Sequence, residues 1–123
     1  MPTKKSRGEY EDEFTKAIIK FEKEQLGRGP DSARTYMLDD LILVRLRGLL
    51  TTAETALVRD REGQALVKEV RRQLHEISRP LMENIVKEIL GYEVVSLHTD
   101  MSAKTGERII VLVVDRSLDE MFD

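Results

Sequence analysis

The chain has 123 residues, 41% hydrophobic and 35% charged, which predicts one ordinary globular domain over 1–123 with a single core. The absence of cysteine excludes disulfides, thiol catalysis and cysteine-ligated zinc, and a formal net charge of −3 argues against a global nucleic-acid footprint. No run of about 18 apolar residues occurs, so no membrane insertion is expected. The basic N-terminus has no apolar segment behind it, which makes a cytoplasmic location the default.

Residues 1–7 are expected to be a flexible N-terminus. Ser6 and Glu9 have capping-box spacing, and Tyr10, Phe14, Ala17, Ile18 and Phe21 then recur at helical intervals. Gly27 suits a helix C-terminus, and Pro30 opposes resumption of the helix. Residues 34–38 and 41–47 read as two strands meeting at Asp39 and Asp40, through a tight turn, a bulge or a longer loop. Gly48 ends the second strand. Thr51 and Glu54 offer another capping box, and helical periodicity continues through Leu66, Val70, Leu74, Ile77, Leu81, Ile85 and Ile89 to Gly91. Gly63 is a candidate divider of a short helix from a long one, and Pro80 predicts a kink near Glu76. Residues 93–99 and 108–114 form a second strand pair around the turn-rich DMSAKTGE. Residues 116–123 are a tail with a short helical piece.

The predicted fold is therefore α+β, in the order helix–strand–strand–long (kinked or broken) helix–strand–strand, with a four-stranded antiparallel sheet packed on helices. Residues 109–114 are apolar throughout, so that strand belongs at the centre of the sheet or under cover on both faces. In the second strand Ile42, Val44 and Leu46 share a face; in VVSLH, Val95 and Leu97 share one, and Val94, Ser96 and His98 the other. One sheet face is then expected to be wholly apolar. The other is apolar at one end and carries Arg45, Arg47, Ser96 and His98 at the other. Too few helices remain to bury both faces, which predicts a homodimer.

Catalytic chemistry finds little support. Ser96, His98 and Asp100 share a strand face, but same-face neighbours are about 6.5–7 Å apart along a strand, too far for a mutually bonded triad. Asp39 and Asp40 read as a solvated turn rather than metal ligands. The Lys-Thr in SAKTGE lacks the order of a phosphate loop and precedes a strand, and no cofactor motif occurs. GRGP is either a helix stop or an amide nest for an anion, with Arg28 and Arg34 adding charge. The candidate anion- or partner-binding residues are Arg28, Gly29, Arg34, Arg45, Arg47 and His98, with a nucleotide or other anionic small ligand as the class they would hold. RNA binding is disfavoured, because only Tyr36 and Tyr92 lie near the strands as stacking platforms.

Four stretches stand in order: GRGPDSAR, LVRLRGLLTTAE, LVKEVRRQL and LHTDMSAKTGERIIVLVVD. In combination they make the chain resemble the MpsC-like family, a small bacterial family named for a Na+-translocating, membrane-potential-generating system. The resemblance spans residues 9–115. Relatives often carry proline where Thr52 stands; both a proline and a threonine cap favour helix initiation. The resemblance implies a link to ion transport and supplies no catalytic residues. A chain without a spanning helix does not itself carry ions through a bilayer. The implied role is a non-enzymatic accessory or regulatory protein, peripheral to the membrane through a transport-protein partner.

Overall fold

Ser6 opens the first helix through a reciprocal cap: its hydroxyl accepts from the Glu9 N–H at 3.2 Å, and the Glu9 carboxylate accepts from the Ser6 N–H at 3.1 Å. Helix α1 (Arg7–Leu26) ends at Gly27, whose φ of 78° is a left-handed conformation that glycine adopts without a steric cost. The computed structural model describes residues 5–122; of the N-terminus expected to be flexible, residues 1–4 lie outside the described part, while Ser6 and Arg7 are the cap and the first helical residue.

Strands β1 (Ser32–Leu38) and β2 (Leu41–Arg47) form a hairpin closed by Asp39 and Asp40 alone. Asp39 supplies the positive φ, 56°, that so tight a turn requires. After β2, a Thr51–Glu54 capping box starts α2 (Thr52–Leu57), and Asp60 caps α3 (Arg61–Leu90). The helical run is thus broken at residues 58–60 and is continuous through Pro80. Gly63 lies within the first turn of α3 rather than at the break. A Cβ there would sit 1.6 Å from the Leu57 carbonyl oxygen, so glycine is what lets the two helices meet this closely.

Strands β3 (Val94–Met101) and β4 (Arg108–Val114) form the second hairpin, and all four strands pair antiparallel in the order β1-β2-β4-β3. The all-apolar β4 therefore sits inside the sheet. Phe14 and Ile18 of α1 and Met82 and Val86 of α3 cover one face, against Ile42, Val44 and Leu46 of β2 and Ile110, Leu112 and Val114 of β4. Each such fully buried side chain contributes roughly 1.5–3 kcal/mol. Helix α1 also shields the β1 edge: the Glu11 carboxylate accepts from the outward N–H of Met37 at 2.7 Å. The C-terminal tail packs back on the domain, with Leu118 fully buried in a 3-10 turn and the Tyr92 hydroxyl donating to the Ser117 carbonyl.

Two expectations about the faces are corrected. A bulge at Val95 resets the phase of β3, so Val94 and Leu97 face the helices and Val95 is 65% exposed. Nor is the covered face wholly apolar, since Arg108 lies on it, 1% exposed. The apolar series along α3 also differs from its buried face. Val67, Arg71, Ser78, Met82, Val86 and Leu90 turn inward, whereas Leu66, Val70, Leu74, Ile77 and Leu81 are exposed. Each member of the exposed series precedes by one position a residue on the inner side, which sets the stripe about 100° around the helix from the core.

Candidate functional site

Alternation along β1 and β2 brings Arg34, Arg45 and Arg47 to one end of the uncovered sheet face. With Ser32, Ala33 and Tyr36 they line an open cleft of about 390 Å³. Arg45 and Arg47 share a single carboxylate: their Nε atoms lie 2.7 and 3.3 Å from Oε2 of Glu107. Arg45 chiefly, and then Arg47, hold the Glu107 carboxyl below the usual range. Arg34 has no carboxylate partner among the described residues and stacks over the Tyr36 ring, 4.9 Å from its centroid.

The remaining candidates lie elsewhere. Arg28 donates to the Leu50 carbonyl and pairs with Asp31 at 2.9 Å, tying the linker after α1 to the start of α2. Gly29 packs beside the Lys23 stem. His98 shares the open face but sits on β3, two strands beyond β2. Its Nε2 lies 3.1 Å from the Ser96 hydroxyl, a contact that the spacing argument had excluded; Cα separation sets no limit once two side chains lean along the strand. Asp100 completes no triad, because it accepts from its neighbour's Met101 N–H and faces Lys68 at 3.3 Å. Among the described residues no group of three or more His, Cys, Asp and Glu is placed to hold a metal.

A second charged cluster is buried under the sheet, and the sequence reading missed it. Arg108 Nη1 donates to Glu22 Oε1 at 2.8 Å, and its Nε donates to the Thr99 hydroxyl at 2.9 Å. Both ion-pair partners are at most 1% exposed. Burial pushes the Glu22 carboxyl up, with Arg108 opposing, and brings the Arg108 guanidinium down to about 10. Nearby, Arg71 donates to the Leu49 carbonyl at 3.0 Å and to both oxygens of Glu54, at 2.6 and 2.8 Å. That bond, with the Thr51 cap, holds Glu54 down at about 2. His75 is neutral: burial first, then the Arg108 and Arg71 charges, lower its pKa to about 3. Arg71 and His75 line a cleft of about 310 Å³ between α3 and β3. Two atoms here, Glu22 Oε2 and His75 Nε2, are buried without a hydrogen-bond partner. The signal was present as phase. Glu22 stands four residues after Ile18, Arg71 four after Val67, and Arg108 two before Ile110, all on inward-facing positions.

The arrangement provides cationic recognition on the open face and a closed ion-pair network beneath it. Comparison with known proteins adds the family. The family model described as "Na+-translocating membrane potential-generating system (MpsC)" matches residues 6–116. The chain belongs to the MpsC family. Within it, the chain is similar to the uncharacterized protein YbcI of Bacillus subtilis (strain 168), 40% identical over 117 residues, covering 95% of this chain and 94% of that protein. It is also similar to the uncharacterized protein YrhF of the same strain, 30% identical over 110 residues, covering 88% and 89% respectively. No solved structure matches. For an MpsC family described by ion translocation, one physical fact matters here: among the described residues no helix is long and apolar enough to cross a membrane.

Proposed function

We propose that this protein is a non-enzymatic, cytoplasmic accessory or regulatory component that acts beside a membrane-embedded ion-translocating partner. The observation that carries the reading is the exposed stripe of α3. Leu66, Val70, Leu74, Ile77 and Leu81 form an apolar strip along one flank of a 30-residue helix, and Ile77 is 78% exposed. Contiguous apolar surface of this kind marks an interaction site rather than a solvated helix face. The family description supports a link to membrane energetics, and the lack of a membrane-crossing helix among the described residues is consistent with a role beside a translocating partner. Affinity purification from native cells with the membrane fraction retained tests it. A membrane transport protein is expected with the wild-type chain and not with an Ile77→Asp variant. Recovery of no such protein, or equal recovery with both, overturns the reading.

A second reading, an anionic-ligand module, is favoured by one specific observation: three guanidiniums line one cleft, where two of them share a single carboxylate and the third has none among the described residues. A nucleotide or phosphorylated metabolite bound there raises the melting temperature, because it binds only the folded state. No shift at millimolar ligand removes this reading.

A further inference from the structure

The uncovered sheet face is polarised along the strands. Pairing sets Leu38 beside Leu41, Tyr36 beside Leu43, and Arg34 beside Arg45, in successive rows across β1 and β2. Val113, Val111 and Ile109 of β4 extend the same three rows, so the middle of the face is apolar. Leu38 is 64% exposed. Beyond the first row lie Asp39 and Asp40, which have no ion-pair partner among the described residues; beyond the last lies Arg47. One end of the face thus carries three arginines, two of which share one carboxylate, and the other carries two unpaired aspartates.

We propose that this face binds a second copy of the chain, sheet on sheet, with the strands of the two copies running in opposite directions. The charges select that orientation. A two-fold axis lying in the interface along the strands, between β1 and β2, would stack the arginines of one copy on those of the other. An axis across the strands, through the row of Tyr36 and Leu43, instead sets Arg34 over Leu38, Arg45 over Leu41 and Arg47 over Asp39 of the second copy. Leucines then meet the aliphatic stems of the arginines, and the guanidiniums reach the aspartate turn. The separation of about 10 Å and near alignment are those of ordinary sheet-on-sheet packing. Such a contact is self-complementary and closed, as a two-fold dimer requires. The dimer leaves both α3 stripes outside, and it stands or falls independently of any membrane partner.

Sedimentation equilibrium of the full chain, with circular dichroism to check the fold, tests the proposal. The wild type is expected to be a dimer at micromolar concentration, weakened by salt because its rim is ionic. The R34E/R45E double variant and the D40K variant are each expected to dimerise at least tenfold more weakly. Mixed one to one they are expected to recover dimers, because in the mixed dimer the reversed charges face each other at one rim and the wild-type charges face each other at the other. A monomeric wild type at about 100 µM, a dimer indifferent to both charge reversals, or a mixture that stays monomeric overturns it. Should either variant fail to fold, the salt dependence of the wild type decides: a dimer that does not weaken with salt counts against it.

Discussion

Glu107 and Arg108 are neighbours in the chain and belong to two different electrostatic settings. Glu107 turns to the open face and serves Arg45 and Arg47 in reach of water; Arg108 turns inward and meets Glu22 where neither is more than 1% exposed. On the outside the charges are screened and exchangeable, so they suit recognition. On the inside desolvation opposes both charged groups, and each tolerates its burial only because the other is there. The same residue type thus reads as binding surface or as scaffold according to the parity of its position in a strand.

The largest effect expected is on the inner cluster. Glu22→Ala leaves Arg108 buried and unpaired and is expected to lower the unfolding free energy by about 3–5 kcal/mol, whereas Glu22→Leu with Arg108→Met is expected to restore most of it. Urea denaturation measures both. A single variant as stable as the wild type would erase the contrast between the clusters.

Acid sharpens the comparison at intermediate cost. His75 stays neutral in the fold while the unfolded chain takes up a proton below its ordinary 6.5, so its contribution is present above pH 6.5 and is lost as pH falls toward about 3. Glu54 behaves alike at lower pH: its depressed pKa makes its contribution present above 4.5 and lost toward about 2. Glu22, raised by burial, runs the other way and partly offsets them. Urea midpoints measured against pH should fall through this window, with His75→Leu flattening its upper part and Glu54→Gln its lower part. An unchanged slope in both variants would dissociate the inner cluster from acid sensitivity. The smallest effect is expected outside: Glu107→Gln should leave the urea midpoint at neutral pH and 150 mM salt within experimental scatter. A clear loss would give the outer cluster a structural role like that of the inner one.

Most of the architecture is legible in the residues. Both capping boxes, the glycine stop at Gly27, the two hairpins and the interior position of β4 follow from local chemistry and period. What escaped has a common physical cause. Val95 carries no mark of a bulge, because a bulge is decided by the partner strand. The apolar stripe of α3 repeats as regularly as a buried one, and only tertiary packing puts Val67 and Met82 inside while Leu66 and Leu81 stay out. Glu22, Arg71 and Arg108 occupy inward phases, but charge suggests solvent until a partner is known. At the outer site the alternation that gathers Arg34, Arg45 and Arg47 was legible, and the separation of Arg28 from them was not, since it depends on how the linker folds back onto Leu50.

The opposed directions of Glu107 and Arg108 also fix the alignment of β4 between its neighbours. A slip of one residue would turn Glu107 inward toward Glu22 and turn Arg108 outward beside Arg45 and Arg47. Both sides of the sheet would then set like charges together. An all-apolar run such as IIVLVV offers no such discrimination by itself, since either of its sides can be buried. Two adjacent charges of opposite sign thus tell apart the two sides of a strand whose apolar residues do not.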